Sequence, residues 1–230
     1  MNINLHRFHG GMRLEDHKAE SLTRELQQAS LPRQLFLPLR QHIGETNNPL
    51  VGPGDRVLRG QLIAASSSPI SAPLHAPTSG TVREISAHPV PHPSGQSDNC
   101  IVIDVDDKDE AYPVDSISPD NLTASEMIQQ IRQAGVVGLG GASFPTSAKL
   151  LRANVLGIDC LIINGVECEP YITCDDILMR TYAKELVKGI DYLQRILKPY
   201  STLIAIENNK PDAIDGINQA LALQALENTR

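Results

Sequence analysis

The pattern of apolar and polar positions changes twice along the chain. Through residue 34 apolar side chains are sparse, and only residues 21–28 suggest a short helix with a thin apolar face. Residues 1–34 therefore read as an extended arm lying on the body or on a partner. From Leu35 to about residue 118, short alternating pieces sit between turn signals. They are Leu35-Phe36-Leu37 before Pro38, residues 51–57, 60–63 and 76–82, and a strand with alternating faces at 100–105. Short strands at this spacing predict a compact β-barrel or sandwich over 35–118. From Thr123 the period becomes helical. Thr123-Ala124-Ser125-Glu126 forms a capping box, Met127, Ile128 and Ile131 share a face, and Gly135 is a natural stop. A second helix is expected to start near Pro145 and run through Leu151. Cys160-Leu161-Ile162-Ile163 reads as a buried strand. Residues 176–197 read as one long amphipathic helix carrying Ile177, Val187, Ile190, Leu193 and Leu197. Leu203-Ile204-Ala205-Ile206 is a further strand, and Pro211 opens a helix carrying Ile214, Ile217 and Leu221. Strands alternating with helices over 119–230 predict a Rossmann-like parallel α/β domain with a right-handed crossover.

Within the β region the order Val51-x-x-Gly54-Asp55-x-Val57-x-x-Gly60-Gln61-x-Ile63, then Ala76-Pro77-x-Ser79-Gly80-x-Val82, resembles the biotinyl/lipoyl-type half-barrel. Carriers of that type attach their cofactor to a lysine between the two halves. No lysine stands between Lys18 and Lys108, so lysine-linked biotin or lipoate is excluded and the likeness implies a fold alone. His88-Pro89-Val90-Pro91-His92-Pro93 reads as a stiff, extended surface loop rather than a metal site. Residues 104–110 read as a solvated acidic strand end.

Candidate chemistry concentrates in two loops. In Gly138-Leu139-Gly140-Gly141-Ala142-Ser143-Phe144-Pro145-Thr146, glycines at 138, 140 and 141 leave the backbone open to a ligand. A helix beginning at Pro145 would aim free N–H groups and a partial positive charge over them, and Lys149 adds a full charge one turn on. That suits a phosphate, although a tight turn between packed elements accounts for the same pattern. The dinucleotide fingerprint is not met, because Ser143 stands at its third glycine, and no Gly-Lys-Ser/Thr makes a Walker A loop. The second loop is Asn164-Gly165-Val166-Glu167-Cys168-Glu169-Pro170, which with Glu207-Asn208-Asn209-Lys210 falls at the carboxyl ends of predicted strands, where such sheets bind ligands. Asn164 offers an amide donor and acceptor to a heterocycle edge. Glu167 and Glu169 would accept from ribose or ribityl hydroxyls. The plainer alternative has Glu167 capping a loop and Glu169 solvated. A glycosidase-type carboxylate pair ranks below both, since aromatics to line a sugar cleft are scarce.

Composition narrows the classes. With 230 residues, a net charge of −7 and no Trp, the chain is a poor nucleic-acid binder. No apolar run is long enough to span a bilayer, and no signal segment opens the chain. Cys100, Cys160, Cys168 and Cys174 form no C-x-x-C pair and no ferredoxin run, and every histidine lies at or before His92, so reduced thiols and no bound metal are expected.

The runs GVVGLGGASFPTSAKL, LIINGVECEPYITCDD and IAIENNKP, with LPLRQHIG, VGPGDRVLRGQ and HAPTSGTV upstream, resemble RnfC, a component of the ion-translocating Rnf/Rsx electron-transport complex. The likeness runs from about Phe8 onward. The two loops are also similar to those of the FMN-bearing, NADH-oxidising subunit of respiratory complex I. The resemblance implies that Gly138, Gly140, Gly141, Ser143, Phe144 and Lys149 lie along FMN and its phosphate, and that Asn164, Glu167 and Glu169 lie near the flavin and the incoming nicotinamide nucleotide. It further implies hydride transfer from NADH to flavin and one-electron release to [4Fe–4S] clusters. The setting would be a peripheral subunit on the cytoplasmic side of the bacterial inner membrane, held by the other Rnf/Rsx subunits. Family members carry the rest of the flavin domain, a β-grasp-like domain and two four-cysteine runs after the point corresponding to Arg230. The α/β domain is accordingly expected to be incomplete at its C-terminus, with no cluster bound by this chain. Ser143 replaces a family glycine, and Val166 an acid of the complex I relatives. A soluble RnfC-like flavin or cobalamin reductase and a flavin-free scaffold are the alternatives.

Overall fold

The computed structural model describes residues 14–23, 26–91, 94–114, 117–139, 142–226 and 228–230. In chain order its elements are helix α1 (Lys18–Ser21), strands β1 (Gln34–Pro38), β2 (Asn48–Pro49), β3 (Arg56–Val57), β4 (Leu62–Ala65), β5 (Leu74–His75), β6 (Gly80–Pro89) and β7 (Ser97–Val105), and helices α2 (Ala124–Gln133) and α3 (Thr146–Leu156). Strand β8 (Cys160–Gly165), helices α4 (Cys174–Thr181) and α5 (Ala183–Leu197), strand β9 (Ser201–Ile206) and helix α6 (Pro211–Gln224) complete them. The chain divides into two compact units. The first comprises Ala29–Asp159 and Leu193–Pro199; the second comprises the described residues up to Gln28, Cys160–Tyr192 and Tyr200–Arg230.

The first unit is built on two antiparallel sheets, ordered β1-β7-β6-β3 and β2-β4-β5. This is the half-barrel its glycine and valine spacing predicts. Val57, Ile63, Val82, Ile101 and Ile103 form its buried core, with Leu37 and Leu74. Along β6 the pattern alternates, Gly80 and Val82 inward and Thr81 and Arg83 outward, as a sheet with one covered face requires. In β7 the whole run from Cys100 to Ile103 is buried, so both of its faces are covered there. One expectation is refined and one corrected. The acidic stretch after β7 is exposed over residues 107–110, as expected, and is paired as well: Arg56 reaches Asp106 at 3.2 Å and Glu110 at 2.6 Å, and Arg59 reaches Asp109 at 3.1 Å. The buried hydroxyls of Ser79 and Thr78 donate to Asp106 (2.6 Å) and Asp109 (2.9 Å). The Ser79 hydrogen bond, helped by the Lys108 N–H and the Arg56 charge, holds the Asp106 carboxyl below its ordinary range. His88-Pro89 is not loop but the end of β6. The His88 ring lies edge-on to Phe36 and meets Glu84 at 3.1 Å. His92 and Pro93 lie outside the described residues.

Helix α2 opens on the expected capping box. Thr123 Oγ1 accepts the Glu126 N–H, and the Glu126 carboxylate accepts the Thr123 N–H at 2.8 Å. Thr123→Ala is expected to lower stability by about 1 kcal/mol, read as a shift of the urea midpoint. Gly135 ends the turn at φ +69°, where a Cβ would also stand 2.7 Å from the Pro73 carbonyl oxygen. Helix α3 begins at Thr146 with Pro145 as its N-cap, one residue later than expected. It continues to Leu156, five residues past the expected end, because no breaker intervenes before Gly157 at φ +71°.

In the second unit β8 and β9 pair in parallel, from Cys160↔Ser201 to Gly165↔Ile206. Met179, Val187, Ala213, Ile217 and Ala220 make the core of this unit. Three expectations change here. Strand β8 is not buried but alternates, with Ile162 62% exposed, because β9 is its sole ladder partner among the described residues. The expected single helix over 176–197 is two: Tyr182, at φ −123° and ψ 34°, closes α4 before α5 opens. The helix expected at 21–28 lies earlier, at Lys18–Ser21. Residues 24 and 25 are outside the described set, and 26–28 are not helical. Lys18 explains the shift, since its side chain is buried against the loop after β8 and fixes the turn there. Among the described residues no helix is long and apolar enough to cross a membrane.

Candidate functional site

The sequence-predicted residues fall into two sets, one on each unit. In the first unit, residues 136–139 and 142–146 run against each other as the two limbs of a hairpin-like loop. Val137 pairs with Pro145, the Gly138 N–H donates to the Phe144 carbonyl at 2.9 Å, and the Thr146 N–H donates to that of Val136 at 3.0 Å. Leu139 at the tip is 98% exposed, and the Ile43 N–H holds the Ala142 carbonyl at 3.2 Å. Gly140 and Gly141 lie outside the described residues. The loop delivers the chain directly into α3, whose first turn receives no side-chain cap. Lys149 is exposed one turn on. Ser143 adopts φ +44°, a conformation that glycine takes at no steric cost and a side chain resists. This position is therefore one that favours glycine for its backbone. Ser143→Gly is expected to raise stability by about 0.5 kcal/mol, the left-handed strain relieved less the extra freedom of glycine in the unfolded chain; thermal unfolding followed by circular dichroism measures it.

In the second unit the acidic loop leaves the carboxyl end of β8, as expected. Asn164 is exposed, and its Oδ1 accepts the Val166 N–H at 3.1 Å, an Asx turn that starts the loop. Glu169 is exposed. Glu167 is only 3% exposed, and its Oε1 accepts the Asp175 N–H at 2.9 Å and the Cys174 thiol at 3.2 Å. It therefore caps the first turn of α4, while its Oε2 is buried with no hydrogen-bond partner among the described residues. Burial pushes the Glu167 carboxyl up, but the Asp175 N–H, the Cys174 thiol, the Asp176 N–H and the Lys18 charge outweigh it and hold it below the ordinary glutamate range. The same hydrogen bond, then burial, pushes the Cys174 thiol up. Burial, then the Glu167 charge, pushes the Asp175 carboxyl up against the pull of Lys210 and Lys18.

Residues that sequence reasoning did not assign to the site hold this loop in shape. Lys210 is 1% exposed; its Nζ pairs with Glu207 Oε2 and reaches the Glu167 carbonyl at 3.4 Å. Glu207 Oε2 in turn accepts the Glu167 N–H at 3.3 Å. From the N-terminal arm, Lys18 Nζ donates to the carbonyls of Glu169 (3.1 Å) and Ile172 (2.7 Å). Ser21 donates to the Tyr171 carbonyl, and the His17 ring stacks on Tyr171 at 4.7 Å. Tyr171 itself sits at φ +65°, a strained turn that the arm pins from both sides. The nearness of Glu207 and Lys210 to a strand end was a usable signal. Lys18, 151 positions from Glu169, gave none.

Comparison with known proteins bears on both sets. Residues 6–108 match the family model described as the RnfC barrel-sandwich hybrid domain, and residues 131–229 match that of the Nuo51 FMN-binding domain. The chain is 46% identical over 215 residues to a subunit of the ion-translocating oxidoreductase complex of Vibrio cholerae, covering 93% of this chain and 28% of that protein. The protein of the same description from Pseudomonas aeruginosa is 46% identical over 220 residues, 94% of this chain and 28% of that protein. The Haemophilus influenzae one is 45% identical over 217 residues, 93% and 26%. The chain thus spans about a quarter of the length of these relatives. With both family models matched in order along a half-barrel and a parallel α/β region, and with nearly all of its residues aligned at such identity, the chain belongs to the RnfC family of ion-translocating oxidoreductase subunits.

Proposed function

We propose that this chain supplies the FMN-binding, electron-input part of an RnfC-type subunit, receiving reducing equivalents from a nicotinamide nucleotide. One observation carries the reading: the FMN-binding family match over 131–229 contains both the glycine loop with α3 and the acidic loop after β8. The residues present fit the group. An α3 first turn without a side-chain cap leaves N–H groups for a phosphate, and exposed Lys149 adds positive charge. Gly138, Gly140, Gly141, Ser143 and Phe144, with Lys149, are assigned to FMN and its phosphate. Asn164 and Glu169, both exposed, are assigned to the flavin and the incoming nucleotide. Glu167 is assigned there through the loop it shapes, because one of its oxygens is committed to α4.

When bound, FMN takes up a hydride and gives electrons one at a time; the protein's share is position and electrostatics. Residues 35–118 then act as the barrel-sandwich domain, 119–230 as the flavin domain and 1–34 as the N-terminal arm, whose Lys18 and Ser21 brace the acidic loop. The protein sits peripherally on the cytoplasmic face of the inner membrane through the other members of its complex.

Lys149→Ala is expected to weaken FMN binding roughly ten- to a hundredfold, the usual worth of one hydrogen bond to a charged group. Flavin fluorescence during titration measures it. An unchanged affinity would remove the phosphate from the α3 end of the loop.

A further inference from the structure

We propose that Glu167, Cys174 and Asp175 form a divalent-cation site of zinc type that pins the loop after β8 to the first turn of α4. Each residue offers one donor atom, and the three lie within 4.8 Å of one another. Donors on one tetrahedral zinc, with Zn–O near 2.0 Å and Zn–S near 2.3 Å, stand roughly 3.5 Å apart. The Glu167 Oε1–Cys174 Sγ separation of 3.2 Å already meets that spacing. Zinc takes this mixture of thiolate and carboxylate oxygen, and water completes its shell.

A second observation points to a ligand. Glu167 is 3% exposed, yet its Oε2 is buried with no hydrogen-bond partner among the described residues. A buried carboxylate oxygen without a partner carries a desolvation penalty that a cation relieves. In the metal-free chain the Cys174 proton lies between sulfur and the Glu167 carboxylate, where the cation would sit. Binding replaces it: the S–H bond breaks, a metal–sulfur bond forms, and the proton leaves to solvent. No redox change is involved.

Opposing charges set the strength. Lys18 and Lys210 act on the cluster, and the α4 N-terminus adds partial positive charge, while Glu169 adds negative charge. The ion is therefore expected to be removable by a chelator. The site does not depend on flavin binding, so it is tested without flavin.

The chelator-stripped chain is titrated with Zn2+ by calorimetry and with Co2+ by absorption. One Zn2+ per chain is expected, together with a near-ultraviolet thiolate-to-cobalt charge-transfer band. Cys174→Ser should abolish the band and weaken Zn2+ binding at least tenfold, and Asp175→Asn should weaken it comparably. A Cys160→Ser/Cys168→Ser double variant, which leaves all three proposed donors in place, should keep the band. Absence of saturable binding by the unaltered chain overturns the proposal. So does loss of the band in the double variant, its survival in Cys174→Ser, or Zn2+ affinity unaffected by Asp175→Asn.

Discussion

Gly80→Ala is expected to cost about 3 kcal/mol, the upper end of what one inserted carbon exacts from a packed core. Gly80 opens β6 and is buried where that strand faces Val105 of β7 on one side and Val57 of β3 on the other. A Cβ built there would stand 2.3 Å from the Asp104 carbonyl oxygen and 2.7 Å from Ile103 Cγ2. The first obstacle is backbone, so no rotamer change clears it. Strand β6 has to draw away from β7 at the edge of the core that holds Val57, Val82 and Ile103. Gly52→Ala is the matched control, because its Cβ would meet nothing closer than Asp55 Oδ2 at 3.9 Å. Urea midpoints followed by far-ultraviolet circular dichroism separate the two. Equal midpoints would show that the strand pair gives way more cheaply than its geometry indicates.

Lys210→Ala is the second large effect, also expected at about 3 kcal/mol, the lower end for breaking a buried pair because Glu207 keeps some access to water. The lysine is fully buried, so its charge has been taken out of water and is compensated by Glu207 and the Glu167 carbonyl. Truncation leaves Glu207 without a counter-charge while it still accepts the Glu167 N–H. The loop after β8 loses one of its two cationic anchors, the other being Lys18. A Lys210→Met/Glu207→Gln double variant removes both charges and should recover part of the loss. If the double variant is as unstable as Lys210→Ala, the cost comes from packing and not from the stranded carboxylate.

How much of this was legible in the sequence depended on the range of the interaction. The α2 capping box and the stop at Gly135 were readable because both signals lie within a few residues of their effect. The half-barrel was readable because its glycines and valines repeat along short strands. The break at Tyr182 was not, since the apolar spacing from Ile177 to Leu197 continues through it. The exposure of Ile162 was not, because an apolar run does not say how many neighbours a strand will have. At the site, Glu167 stood out from its loop sequence, and the capping role is the one its Oε1 performs. Its partner Cys174 lay seven positions away with no spacing rule to join them. The pairing of Arg56 and Arg59 with residues 106–110 was likewise beyond local pattern, because it joins segments about 50 positions apart.

The most direct test of the flavin assignment is a comparison of FMN with riboflavin, titrated into this chain and into a full-length relative, with flavin fluorescence as the signal. The assignment of the phosphate to the glycine loop and α3 predicts saturation at one FMN per chain, with riboflavin bound at least tenfold more weakly. Equal affinity for the two, or no saturable binding of FMN by either protein, would contradict it.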